Sequence, residues 1–357
     1  MFQYTKIFLA FVLVMLSVPM QTVFAQDKPV SAYLPTDLEE DYWAYNEINH
    51  FIQADIINGY LNNQDDMEIR PNDNVTRSQF VKILVNAMGL QTNLQGKTFT
   101  DVTTDDWFYE YVNVASNLGI VNGKEDGSFA PYEKITRDQL TAMIVRAFES
   151  TISFEQSNEK SFTDVTNSYW AYDVIEKASA QGIVKGYDDE TFKPRDHATR
   201  AQSVVMVYRA LNQELANVPT NDEITSLLRS YIENENELST NQSFNELEQL
   251  YINDSLGYYQ AQGIAAVESY KSLVKQMKEE VDEFTISADN NFSLSVTTST
   301  DRYVTVQIKD LNYEIKIKNS DLDLDVTSTK NAEGKYYLKK DIQEETWKIY
   351  AFSPSAE

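Results

Sequence analysis

The chain has no cysteine and only two histidines in 357 residues. Without cysteine there is no disulfide, no thiol nucleophile and no thiolate metal site. An exported chain of this length must then rest on hydrophobic cores, and it is long enough for two or three. His50 and His197 fall in a helical stretch and in a loop, which argues against a histidine base, a Ser-His-Asp triad or a zinc centre. Gly-x-Ser-x-Gly elbows and phosphate-binding loops are also missing, so the sequence reads as a non-enzyme with no cofactor and no metal. Basic charge is scarce: 30 Lys and Arg stand against 55 Asp and Glu, a formal net charge of −25. The acidic excess is spread out, with 25 acidic and 13 basic residues after position 220. Such a surface repels nucleic acid and anionic lipid. An anionic ligand would need locally clustered Arg and Lys, because salt screens the global field within roughly 10 Å.

Long apolar runs are rare as well. Lys6 is the only charge before the apolar stretch 7–18, Pro19 breaks it, and Val23-Phe24-Ala25 offers a small-residue cleavage site. Residues 1–25 therefore read as a secretory signal peptide, followed by a short segment 26–33. No later stretch reaches about 18 consecutive apolar residues, so no transmembrane segment is expected after signal cleavage.

What the sequence does contain is one pattern made three times. Trp43, Trp107 and Trp170 are each followed sixteen positions later by a glycine, Gly59, Gly123 or Gly186. A Thr-Arg pair comes next: Thr76-Arg77, Thr136-Arg137 or Thr199-Arg200. Asp37, Asp101 and Asp164 precede the three Trp residues at one common offset. A fixed period means one supersecondary unit repeated, each completing its neighbour's core. Ile48, Phe51 and Ile52, then Tyr111, Val112, Val114 and Ala115, then Val174, Ile175 and Ala178 are spaced as the buried face of a first helix. Gly119 and Gly182 end that helix in units two and three; Asp55 stands there in unit one, so its helix end is expected to be less well capped. A second helix follows each Thr-Arg pair, and Thr76–Gln79, Thr136–Gln139 and Thr199–Gln202 all fit the capping box. The units span 34–90, 98–149 and 161–211, with a linker at 212–222.

Phe-x-Asp-Val before a Trp, Gly-Ile-Val-x-Gly, Phe-x-Pro and Thr-Arg together resemble the surface-layer homology (SLH) repeat. The resemblance covers about residues 34–211. It implies a pseudo-threefold, helix-rich lobe with one helix of each repeat in a central bundle. It also implies inter-repeat grooves that bind the secondary cell-wall polymer attached to peptidoglycan, often through a pyruvylated amino sugar. That would make the chain a secreted Gram-positive cell-surface protein of S-layer type. Pro35 for the usual Phe, Asp55 for Gly, a loop four residues longer, and Gln after each Thr-Arg are departures, most of them in unit one.

On that reading Arg77, Arg137 and Arg200, in first helical turns beside free N–H groups, offer bidentate forks to a ketal carboxylate. Trp43, Trp107 and Trp170 stack on sugar faces, and Gly59, Gly123 and Gly186 let the ligand approach the backbone. Asp37, Asp101 and Asp164 complete the candidate set. A plainer reading stays open beside it: Trp residues as core, Arg residues as helix-surface charges paired with those aspartates, and glycines as turn formers.

Beyond the linker the repeat is gone. Helices are expected near 222–237, 244–262 and 264–281. Then the period changes to two, at Phe292-x-Leu294-x-Val296, Val304-x-Val306-x-Ile308, Tyr313-x-Ile315-x-Ile317, Leu322-x-Leu324-x-Val326, 336–338 and 347–350. The expected fold for 223–353 is α+β, with helices packed on a curved antiparallel sheet, a meander of strands. This order resembles the nuclear-transport-factor-2-like fold, on Asn253-Asp254-Ser255-Leu256, Gly263-Ile264 and Trp347-Lys348-Ile349. The whole reads as a multidomain wall anchor that displays a C-terminal binding or structural domain with a protein or small-molecule partner of its own. Two alternatives are a surface-anchored enzyme or ligand-binding protein acting through the C-terminal domain, and a surface-layer lattice subunit.

Overall fold

The structure, a computed structural model, describes residues 28–154 and 162–355. The expected signal peptide lies outside the described residues. The chain divides into two compact units, one of residues 35–218 with 300–302, the other of residues up to 34, 219–299 and 303–357.

The first unit is the threefold repeat. Each copy has a nine-residue helix, α1 (Tyr45–Gln53), α3 (Tyr109–Asn117) and α5 (Tyr172–Ala180). Each then has a twelve-residue helix, α2 (Arg77–Met88), α4 (Arg137–Phe148) and α6 (Arg200–Leu211). Gly119 and Gly182 take left-handed backbone after the first helix, and Asp55 does the same with φ 55°. The Asp therefore closes its helix in the same way, at the steric cost a Cβ brings to that conformation. The longer first loop is drawn together by a two-residue hairpin, β1 (Tyr60–Leu61) with β2 (Met67–Glu68). Phe51, Phe80, Phe108, Phe129, Phe148 and Phe192 fill the cores.

Three backbone hydrogen bonds close a ring around the pseudo-threefold axis: Ile135 N to Val75 O, Ala198 N to Ile135 O, and Val75 N to Ala198 O, at 3.0, 3.0 and 3.1 Å. The repeats are thus a closed trimer in one chain. The expected capping box forms at Thr76 and Thr199 but not at Thr136. There Asp138 replaces the small residue after Arg, and its carboxylate accepts from the Thr136 hydroxyl, from Gln139 N at 2.7 Å and from Tyr169 Oη at 2.6 Å. The stronger acceptor draws the Thr hydroxyl into donating, so it no longer caps.

In the second unit Thr220 caps α7 (Asn221–Thr240), and α8 (Phe244–Asp254) and α9 (Gly257–Glu280) follow. The expected break at Gly263 is not there: Gly263 lies inside α9, where a Cβ would come within 2.2 Å of the Tyr251 ring. The break falls instead at Ser255-Leu256, where Leu256 N bonds Ile349 O. Seven strands follow: β3 (Glu283–Asp289), β4 (Ser293–Ser299), β5 (Tyr303–Lys309), β6 (Asn312–Asn319), β7 (Leu324–Asn331), β8 (Gly334–Asp341) and β9 (Thr346–Pro354). They form two antiparallel sheets, β3-β6-β7 and β4-β5-β8-β9, in place of one meander. The short connections after β3, β5 and β7 each carry the chain from one sheet to the other, so β6 pairs with β3 and β8 with β5. The helices pack on both sheets, and Ile224, Leu228, Ile232, Leu247, Val306, Ile308, Leu338 and Ile349 lie in the shared core. Val30–Tyr33, a single 3-10 turn, belongs to this unit and sets Tyr33 edge-on to Tyr258 at 5.8 Å.

Candidate functional site

The site is built at the junctions between consecutive repeats, where the start of each long helix meets the loop of the next repeat. Arg77 Nε donates to Phe129 O at 2.9 Å and Nη1 to Gln139 Oε1 at 3.2 Å. Arg137 Nε donates to Phe192 O at 2.9 Å and Nη2 to Lys185 O at 3.3 Å. Arg200 closes the cycle onto repeat one, with Nη2 to Asn58 O at 2.6 Å and Nη1 to Tyr60 Oη at 3.5 Å. The guanidiniums also lie over aromatic rings, Phe129, Tyr187 and Phe192, and Tyr60. All three Arg residues are buried, at 6, 3 and 6% exposure. They are not helix-surface charges. Burial pulls each guanidinium down from its usual range, opposed by Glu133 and then Asp101 on Arg77, by Tyr187, Asp196 and Asp164 on Arg137, and by Tyr60, Asp37 and Asp73 on Arg200.

The helix starts are engaged as well. Arg77 N and Ser78 N bond Glu133 O and Pro131 O. Arg137 N and Asp138 N bond Asp196 O and Pro194 O, and Arg200 N and Ala201 N bond Asp73 O and Pro71 O. The free N–H groups expected beside each Arg therefore hold carbonyls of the neighbouring repeat, and the junction is locked by protein groups.

Asp37, Asp101 and Asp164 do not form ion pairs with these arginines. Each carboxylate accepts from two successive backbone N–H groups in its own repeat's loop: Ile69 and Arg70, Phe129 and Ala130, Phe192 and Lys193, at 2.7–2.8 Å. Gly59, Gly123 and Gly186 sit where a Cβ would strike a neighbour, Met67 Sδ at 2.2 Å or the Phe99 and Phe162 rings at 2.4 Å. Met67 occupies in repeat one the place that Phe99 and Phe162 hold in the others, which compensates for Pro35. The glycines are held by packing inside the protein, and Gly123 also needs its φ of 77°.

The tryptophans differ from all of these. Trp43, Trp107 and Trp170 are 58, 52 and 59% exposed, so the core reading of them does not hold. Each lies just before the first helix of its repeat, and that helix packs on the long helix of the preceding repeat. Trp107 and Tyr111 share a cation, Lys82 of α2, whose Nζ stands 5.7 and 5.4 Å from their ring centroids. Tyr132, itself exposed, stands edge-on to the buried Phe108, whose ring in turn meets Trp107 edge-on. At the positions equivalent to Lys82 the other long helices carry Ala142 and Val205, both buried. The Lys82 junction was not singled out by the repeat pattern, because that position varies between the copies.

The first unit is thus a closed threefold of helix pairs that leaves one tryptophan per repeat exposed. The sequence comparisons agree in kind: the S-layer homology domain matches residues 36–81, 98–141 and 161–202, so the chain carries three such domains. It is 30% identical over 195 residues to an endoglucanase of Bacillus sp. (strain KSM-635), covering 54% of this chain and 20% of that one. It is 30% identical over 165 residues to the cellulosome-anchoring protein of Acetivibrio thermocellus, covering 43% and 37%. It is 33% identical over 145 residues to the middle cell wall protein of Brevibacillus brevis, covering 40% and 12%. The chain thus spans a minor part of each of these relatives. The domains and these relatives mark a secreted cell-surface protein.

Proposed function

We infer that the chain is a non-catalytic anchor, held on the cell wall by its repeat lobe while its α+β unit is displayed. The ligand of the lobe is the secondary cell-wall polymer, bound through acidic, pyruvylated saccharide units in the seams between repeats. The observation that carries this reading is the exposure of all three tryptophans at one repeated position, since a large apolar ring left in water three times over suits a sugar-stacking surface. In this reading Trp43, Trp107 and Trp170 are the contact platforms. Arg77, Arg137 and Arg200, with Asp37, Asp101 and Asp164 and the three glycines, build and polarise the seams. Lys82 makes the seam between repeats one and two the best suited to a carboxylate, since the overall charge of −25 offers no long-range attraction. The α+β unit resembles the nuclear-transport-factor-2-like fold in placing helices before strands. The test is sedimentation of the mature chain with purified wall sacculi. Binding to sacculi that keep their polymer, and loss of binding after hydrofluoric acid strips it, is the expected result; equal binding to both would end the proposal.

A further inference from the structure

The lobe is completed by residues from far along the chain: Thr300–Arg302, the turn between β4 and β5, belong to it. Thr300 and Asp301 are buried, and Arg302 keeps only 14% of its side chain exposed. Arg302 Nε donates to Glu214 Oε2 at 2.7 Å and Nη1 to Met88 O at 2.6 Å. Asp301 fixes the turn beside it, its N–H donating to Glu214 O at 2.9 Å and its Oδ1 accepting from Asn217 N at 2.8 Å. Glu214 is fully buried. Burial pushes its carboxyl up from the usual range, opposed by the charge and hydrogen bond of Arg302 and by Thr151, and reinforced by the charge of Asp301.

These contacts span the one junction of the threefold that the chain does not link. Met88 is the last residue of α2, in repeat one, and its carbonyl is among the last-turn groups that a helix leaves without an intrahelical donor. Glu214 follows α6, in repeat three. Chain segments join repeat one to two and two to three. Repeats one and three meet only through noncovalent bonds such as Val75 N to Ala198 O, Arg200 N to Asp73 O and Ala201 N to Pro71 O. A guanidinium suits this place, since its fork reaches a carboxylate and a helix-end carbonyl at once and its charge is favourable at the negative end of α2. Exposed ion pairs contribute little, but Glu214 has no water to turn to, so losing Arg302 would leave a buried carboxyl without its countercharge.

We propose that the β4–β5 turn is a strap that closes the ring of repeats. Arg302, steadied by Asp301 on Asn217, ties repeat one to repeat three, and the junction that carries Trp43 loosens when the strap is withdrawn. Closure of the lobe then depends on a side chain that lies some 80 residues beyond the last repeat and reaches it only if β4 and β5 present the turn. The inference concerns the fold of the lobe and stands whether or not the lobe binds wall polymer.

The test is amide hydrogen exchange in the mature full-length chain, read at equivalent amides of the three junctions. Arg77 N reports on repeats one and two, Arg137 N on two and three, and Arg200 N on three and one, each donating to a carbonyl of the neighbouring repeat. In R302A the Arg200 amide should exchange about tenfold or more faster than in wild type, while Arg77 and Arg137 change by less than about twofold. R302A/E214Q, which also removes the uncompensated charge, should keep this bias, because the bridge from Met88 to Glu214 is still missing. R302K keeps the charge without the fork; it should give an intermediate acceleration at Arg200, and it serves if R302A fails to fold. Equal acceleration at all three junctions, no acceleration at Arg200, or wild-type rates in the double variant would overturn the strap.

Discussion

On the proposed reading, Trp107 and Lys82 act together at the seam between repeats one and two. An indole half in water with an ammonium at 5.7 Å offers both a flat apolar face and a charge for an acidic sugar. Trp107→Ala is expected to weaken retention on wall sacculi about tenfold or more, as truncation of an aromatic anchor does. Lys82→Ala should weaken it by about two- to fivefold, with a loss that shrinks at high salt. Trp170→Ala, at a seam whose equivalent of Lys82 is Ala142, should matter less than Trp107→Ala. Arg137 belongs to a different class. Its side chain satisfies two carbonyls of the next repeat, so Arg137→Ala is expected to cost about 2–4 kcal/mol of lobe stability in urea unfolding, before any effect on binding. The positions of Trp, Arg and Asp were legible as a spacing. Their division into exposed and buried was not, because the partners that bury Arg137 lie 48 and 55 residues further along the chain.

Among elements, the three long helices have the same length but two different starts. Thr199→Ala removes a working cap and should cost about 0.5–2 kcal/mol. Thr136→Ala should cost less, because its hydroxyl donates to Asp138 and caps nothing. Asp138→Ala should exceed both, since that carboxylate serves Thr136, Gln139 and Tyr169 at once. Thermal melts of the three variants rank them directly. The sequence motif alone could not separate these cases, as Thr-Arg-x-Gln occurs at all three sites and only a carboxylate two positions on diverts the hydroxyl. Helix periods and the alternating apolar residues of β4 to β9 were readable in the sequence, although only β5, β8 and β9 bury residues. Strand β3 was not picked out, although Phe284, Ile286 and Ala288 alternate with Thr285, Ser287 and Asp289; none of its residues is buried. Sheet membership was equally hidden, since β3 with β6 and β5 with β8 are pairings across intervening strands that local pattern does not encode.

At the scale of the molecule, the two units carry separate cores and titrating groups of opposite sense. His50 packs beside Tyr208 in the lobe, and burial pulls its pKa down to about 4. The folded lobe therefore binds fewer protons than the unfolded chain as pH falls below about 6.5, and this contribution to its stability is lost between there and about 4. Glu235 in the α+β unit behaves in reverse. Burial raises its pKa to about 7, outweighing the Tyr251 and Tyr259 hydrogen bonds, so the folded unit holds a proton that the unfolded chain releases from about pH 4.5. Its contribution is fully present below about 4.5 and is lost as pH rises through about 7, a difference of about 3 kcal/mol. Calorimetric melts of the mature chain at about pH 5 and pH 8 should show the α+β transition move down with rising pH while the lobe transition does not follow it. In Glu235→Gln that downward shift should vanish. A downward shift that survives the Gln substitution would place the titrating group elsewhere in the unit.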